Sequence, residues 1–172
     1  MELLQPSKTT TLMKTSERKM KIREYASDDY KVCKEIISES TSQINEEYSD
    51  EELEHLEEVI PDMVTGFAEK ERFSFYIAEK PEEVVGVAGY NLNGKIAGIF
   101  IHPDHQREGI GRRLMQEMET KAKEEEDIQE FVASASLTAE KFYEKLGFQK
   151  IKKKDSEMDG KDIPVYKMEK EL

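Results

Sequence analysis

The chain has 172 residues, 37% of them hydrophobic and 37% charged, and a formal net charge of −12. That length supports one domain with a real core and a highly charged surface. The acidity excludes a basic nucleic-acid-binding face, and no apolar run approaches the roughly 18 residues of a membrane span. A single cysteine, Cys33, excludes an internal disulfide and a cysteine-cluster metal site.

The opening 1–19 is rich in Ser, Thr and Lys and lacks the continuous apolar segment of a signal peptide. It reads as a flexible arm before a domain over 20–172, and the expected address is the cytoplasm. Charge is distributed unevenly. Glu35 to Glu69 holds twelve Asp or Glu and no Lys or Arg, while the remainder is balanced at 26 acids and 26 bases. Such a segment either draws in a cationic partner or forms a solvated helix face.

Lys21–Tyr25 alternates enough for an edge or half-buried strand. Ser27-Asp28-Asp29 reads as a helix start, and Val32, Cys33, Ile36 and Ile37 supply the apolar stripe behind it. Cys33 falls within that stripe, which makes it a core residue rather than a nucleophile. Ser49-Asp50-Glu51-Glu52 is a capping box. Leu53, Leu56, Val59 and Ile60 give the next helix a buried side, and Pro61 is expected to end or redirect it.

From Phe73 the period becomes that of strands. Phe73–Ala78, Val84–Tyr90 and Lys95–Ile101, with turns at Glu79–Glu83 and Asn91–Gly94, form an antiparallel meander. A helix to about Glu126 leads to a strand over Ile128–Ala133, which should lie parallel to Lys95–Ile101 because a long helix connects them. Ser134–Thr138 reads as the start of a further helix with its body in Ala139–Leu146 and Gly147 as the C-cap glycine. Phe148–Lys152 and Ile163–Met168 are the last strands, around a polar loop at Asp159-Gly160.

Ile96–Met115 carries the chemistry. It begins as a buried strand stopped by Pro103, which has no N–H for a sheet ladder. Gly109 and Gly111 then open a helix with Ile110, Leu114 and Met118 on one face. A strand, a glycine turn and a helix N-terminus make an anion site, where N–H groups converge and the dipole places about half a positive charge. Absent side chains let a phosphate approach the backbone. No Lys-Ser or Lys-Thr follows the glycines and the spacing is not G-x-G-x-x-G, so two familiar phosphate motifs do not fit. The expected ligand is a pyrophosphate-bearing cofactor.

Gln106-Arg107-Glu108-Gly109-Ile110-Gly111, with Ile101-His102-Pro103 before it, resembles the Q/R-x-x-G-x-G coenzyme A loop of the GNAT superfamily of N-acetyltransferases. Ala139-Glu-Lys-Phe142-Tyr143-Glu-Lys-Leu-Gly147-Phe148 is similar to that family's A-x-x-F-Y-x-x-x-G-F segment. The two stand in the family's order, and the resemblance covers Met20 to Leu172. It implies an α/β GNAT fold: one domain, a mixed, strongly twisted sheet of about six or seven strands and about four helices. Acetyl-CoA would enter where Lys95–Ile101 and Ile128–Ala133 splay. By the same resemblance, backbone groups of Ile99, Phe100 and Ile101 would bond the pantetheine arm as an added strand does. The N–H groups of Gln106, Arg107, Glu108, Gly109, Ile110, Gly111 and Arg112 would hold the pyrophosphate, with Arg107 and Arg112 as charge partners. Ser136 and Phe142 would line the other side. Arg107 stands where many members have Gly.

The implied activity moves an acetyl group from acetyl-CoA to a primary amine such as a polyamine, aminoglycoside, amino acid or basic peptide. The acidic segment motivates a cationic acceptor. Tyr143 would be the general acid, with a backbone N–H of Ile99–Ile101 serving the oxyanion; the alternative is that Tyr143 simply packs beside Phe142. No Asp or Glu lies on Lys95–Ile101, so the general base is sought among Glu46, Glu47, Tyr48, Asp50 and His55, or in water. His102 and His105 flank Pro103 with no third ligand near, so no metal is expected. Nor is a nucleic-acid or membrane partner; a homodimer stays open. The competing reading is a non-catalytic acetyl-CoA-binding regulatory module on the same fold.

Overall fold

The computed structural model describes residues 19–44 and 47–172, so the expected arm over 1–19 (Lys19 apart) and Glu46 lie outside the described residues. Among the described residues from Lys21 on, seven strands and four α-helices follow one another: β1 Lys21–Glu24, α1 Tyr30–Thr41, α2 Asp50–Ala68, β2 Phe73–Lys80, β3 Glu83–Asn91, β4 Ile96–Ile101, α3 Ile110–Glu125, β5 Glu130–Ser136, α4 Glu140–Lys145, β6 Gln149–Met158 and β7 Lys161–Glu171. β1 to β4 pair in sequence order as an antiparallel sheet, and β5, β7 and β6 form a second, in that order. One parallel bridge, Lys95 to Val132, joins the two. The parallel relation expected for β4 and β5 is therefore met at a single point, beyond which the strands part. No described helix is long and apolar enough to cross a membrane.

Gly94 makes that junction possible. It has φ 81°, and a Cβ there would lie 2.3 Å from the carbonyl oxygen of Glu130. Its own carbonyl accepts from Val132 N at 2.9 Å. The preceding turn is wider than the two-residue hairpin that Asn-Gly suggests: the Asn91 carboxamide oxygen accepts from Asn93 N and Lys95 N, each at 3.0 Å.

Strand alternation covers the two faces of the first sheet with different helices. Phe75, Ile77 and Val87 meet Cys33, Ile36 and Ile37 of α1 and Val64 of α2. Tyr76, Ala78 and Tyr90 meet Leu114, Met115 and Met118 of α3. Each Val, Leu, Ile, Phe or Met among them stabilises the fold by about 1.5–3 kcal/mol through burial. Burial pushes the Cys33 thiol up to about 12, as befits a core residue. At the entry to α1, Arg23 donates twice to Asp29 at 2.8 Å, and Ala26 N donates to the same carboxylate at 2.8 Å. The expected helix start at Ser27–Asp29 is a 3-10 turn, with the α-helix beginning at Tyr30.

Four elements run longer than local sequence signals suggest. α2 continues through Pro61, because its apolar stripe resumes at Val64 and Phe67 and their burial offsets the backbone bond that proline cannot make. β5 continues to Ser136 in place of the helix start expected at Ser134–Thr138. Ser134 and Ser136 pair with Lys167 and Val165 of β7, so the ladder prevails over serine's preference for caps. β6 and β7 pair as far as Met158 and Lys161 around Asp159 and Gly160, whose φ values of 49° and 80° make the tight turn that favours a long hairpin.

Candidate functional site

Where β4 and β5 part, a cleft of about 590 Å³ opens. His102 N donates to Val85 O at 2.8 Å. Peptide groups alternate sides along an antiparallel strand, so those of Phe100 face β3 while those of Ile99 and Ile101 turn toward the cleft. Of the three residues expected to offer backbone partners, Ile99 and Ile101 thus turn theirs toward the cleft, and Phe100, which also lines it, turns its own toward β3. On the facing strand, Val132 N points at Gly94, which puts the peptide groups of Ser134 and Ser136 on the cleft side too; both residues line it.

At one end the 3-10 turn Pro103–His105 leads into the glycine loop. Arg107 and Gly109 have φ of 65° and 77°, two left-handed residues that swing the chain so that α3 begins at Ile110 with its N-terminus at the cleft. Gln106, Arg107, Gly109, Ile110, Gly111 and Arg112 line this end, and Glu108 does not. The Glu108 carboxylate accepts from Lys80 Nζ at 3.0 Å and sits 3.2 Å from His105 Nδ1; the Lys80 ammonium first, and His105 after it, hold it below the usual carboxylate range. His105 Nε2 is 2.7 Å from Glu83 Oε1. This network ties the loop to the β2–β3 turn and sets the Lys80 ammonium against the carboxylate within the glycine loop.

The two motifs meet across the cleft. A Cβ on Gly111 would lie 3.1 Å from the Phe142 ring, whereas one on Gly109 would meet no atom within 4 Å. Open space over Gly109, a helix N-terminus and the exposed guanidinium-bearing residues Arg107 and Arg112 fit a pyrophosphate. The unpaired edges of β4 and β5 fit an extended, amide-bearing arm, as in coenzyme A.

Tyr143 lies on the wall of this cleft, its ring edge-on to Phe142 at 5.5 Å and to Phe148 at 5.3 Å. It packs beside Phe142 as the simpler expectation has it, and it also faces the cleft. Desolvation alone pushes its phenol well above the ordinary tyrosine value, which favours the protonated hydroxyl.

The residues considered as bases are disposed otherwise. Tyr48 donates to Pro164 O at 2.8 Å and accepts from Leu137 N at 2.9 Å, pinning the start of α2 to the second sheet. Burial pushes its phenol up to about 12. His55 Nε2 is 2.7 Å from the Met158 carbonyl and must donate to it. Glu47 and Asp50 are exposed and, like His55, stand outside the cleft lining. Among the described residues no Asp or Glu lines the cleft. Six acids of α2 lie away from that wall: Asp50, Glu51, Glu54, Glu57, Glu58 and Asp62 are all exposed, while Glu52 is held in the capping box by Ser49. Five glutamates (Glu35, Glu39, Glu79, Glu82 and Glu83) gather instead around a separate concavity of about 490 Å³ between α1 and the β2–β3 turn.

The end of the cleft away from the glycine loop is apolar. Leu56, Ile60 and Met63 of α2 face Ala97 of β4 and Met158 and Ile163 of the β6–β7 hairpin. Sequence reasoning gave none of these a place in the site, because an apolar stripe on a helix reads the same whether it meets a core or a cleft.

The acetyltransferase (GNAT) domain model matches residues 44–172. Over 86 residues the chain is 35% identical to the UPF0157 protein YqkA of Bacillus subtilis (strain 168), a match covering 48% of this chain and 24% of that protein, so the chain spans about a quarter of that relative's length. In fold it is similar to a GCN5-related N-acetyltransferase of Rhodopseudomonas palustris, with TM-score 0.78, 23% identity, and coverage of 89% of this chain and 96% of the other. The PaiA N-acetyltransferase of Thermoplasma acidophilum, solved in complex with coenzyme A, aligns with TM-score 0.64 and 20% identity over 89% and 99% of the two chains. With three quarters of its length matched by the family model, and the cleft, the glycine loop and both motifs in place, the chain belongs to the GNAT family of acetyltransferases.

Proposed function

We propose that this acetyltransferase moves the acetyl group of acetyl-CoA to a primary amine that arrives as an ammonium cation, with Tyr143 as general acid. The observation that carries this reading is a buried phenol lining the same cleft as the free edge of β4. Acetyl-CoA supplies a thioester-activated acetyl group. The glycine loop holds the pyrophosphate through Gln106–Arg112, and the peptide groups of Ile99 and Ile101 hold the extended arm. An N–H from that edge donates to the acetyl carbonyl oxygen and strengthens as negative charge grows there. As the amine nitrogen bonds to the acetyl carbon and the carbon–sulfur bond breaks, the Tyr143 hydroxyl gives its proton to the sulfur, and the proton shed by the acylated nitrogen restores Tyr143 by way of water. With no described carboxylate on the cleft wall, water carries the ammonium proton to bulk, and kcat/KM rises with pH as the amine deprotonates. The acidic outer face of α2 attracts the ammonium from a distance, so KM should rise with ionic strength.

The test is a panel of primary amines with acetyl-CoA, reading thiol release, in the wild type and Tyr143→Phe. The variant should bind acetyl-CoA normally and lose about tenfold or more in kcat. A wild type that binds acetyl-CoA yet acetylates nothing in the panel would instead support the regulatory module on the same fold.

A further inference from the structure

We infer that the acceptor is a monoamine on an apolar body rather than a polyamine. This rests on the acetyltransferase reading above and narrows it. The glycine-loop end of the cleft is fitted to an anion, so the amine must enter from the other end, which is continuous with it. There the wall consists of Leu56, Ile60, Met63, Ala97, Met158 and Ile163. Ile60, Met63, Ala97 and Met158 are only partly buried and keep apolar surface toward the opening.

Two hydroxyls on this wall are already engaged. The Tyr48 hydroxyl is both donor and acceptor within the fold. The Thr41 hydroxyl donates to Ile37 O at 2.7 Å. A second ammonium on the acceptor would lose its hydration here with no described carboxylate to receive it. A hydrocarbon body gains by leaving water, and the two flexible thioethers of Met63 and Met158 can adjust to its shape. The helix phase explains how an acidic segment builds an apolar subsite: Leu56, Ile60 and Met63 recur at three- and four-residue spacing, while Glu51, Glu54 and Glu58 recur on the other side. Charge attracts the ammonium from outside, and apolar contact chooses what it is attached to.

Hexylamine and 1,6-diaminohexane share a carbon chain and differ in the second ammonium. With acetyl-CoA saturating, kcat/KM should favour hexylamine by about tenfold or more. Met63→Glu, which puts a carboxylate on the wall, should move that ratio about tenfold toward the diamine. Equal or better use of the diamine by the wild type overturns the inference, as does a ratio that Met63→Glu leaves unmoved. Calorimetric titration of both amines into the protein–coenzyme A complex separates this from the parent reading. Selective binding of hexylamine without acetyl transfer overturns amine acetylation and upholds the apolar subsite. Equal binding of the two amines, or binding of neither, overturns the subsite whatever the transfer assay reads.

Discussion

The two ends of the cleft are built by different means. The anion end is backbone: a loop with left-handed Arg107 and Gly109, the first turn of α3, and the free edge of β4. The other end is side chains: Leu56, Ile60 and Met63 from one helix, and Met158 and Ile163 from a hairpin some hundred residues away in the chain. Backbone recognition needs particular dihedrals and particular missing side chains, so it tolerates few residues at each position and leaves a motif. Side-chain recognition needs only volume and polarity, which many sequences satisfy. A shared donor and a variable acceptor follow from that asymmetry.

The asymmetry is most open to attack at Gly109. Its φ of 77° lies in the left-handed region, where a β-branched residue is strained, and the space beside it is the proposed phosphate position. Gly109→Val should weaken acetyl-CoA binding by about a hundredfold or more, measured by calorimetry. Ile60→Val at the opposite end removes one methylene and should leave acetyl-CoA affinity within about twofold while altering acceptor preference. If the two variants weakened acetyl-CoA equally, the division of labour would be wrong.

How far the sequence discloses each end follows from the same distinction. Gln106–Gly111 and Ala139–Phe148 are local patterns, and in the structure Gly111 and Phe142 pack against each other across the cleft. The orientation of Glu108 was not legible, because its partner Lys80 lies over twenty residues upstream and its other partner, His105, is itself held by Glu83 of that same turn. Pro61 and Ser134–Ser136 misled for a related reason. A proline signals a break and serines signal a cap, yet burial of Val64 in one case and pairing with β7 in the other outweighed the local preference. The Asn91–Gly94 turn shows the limit from another side: Asn-Gly marks a turn, but what requires a glycine at position 94 is the Glu130 carbonyl, thirty-six residues later.

A change remote from both ends should alter stability and spare both. Asp29 is almost fully buried and takes two hydrogen bonds from Arg23 and one from Ala26 N, at the corner between β1 and α1. Arg23, chiefly, holds its carboxyl below the usual range. A depressed carboxyl contributes stability above its unfolded value of about 3.9, and that contribution is lost as pH falls through the folded value. Asp29→Asn should therefore cost about 2 kcal/mol near neutrality by denaturant unfolding, with the gap from wild type closing below about pH 4. Affinity for acetyl-CoA in the folded variant should be unchanged; a large loss would mean that the β1–α1 corner also shapes the cleft.

The smallest effect expected is at Arg107, and it bears most finely on how the anion end works. Arg107 holds φ 65° without being glycine, a conformation costing about 1 kcal/mol or more for a side-chain-bearing residue. Arg107→Gly relieves that strain but enlarges the unfolded ensemble, which opposes the gain. The net should be a stabilisation of about half a kcal/mol, read as a small rise in Tm. The guanidinium is exposed at the cleft, so if it pairs with a phosphate the variant should lose a few-fold in acetyl-CoA affinity, with a shallower dependence on salt. Opposite signs for stability and affinity would show that this chain accepts backbone strain in the loop for the sake of a charge. A rise in Tm with affinity and salt dependence intact would show that peptide N–H groups and the α3 dipole hold the anion without it, leaving one end of the cleft wholly backbone and the other wholly side chain.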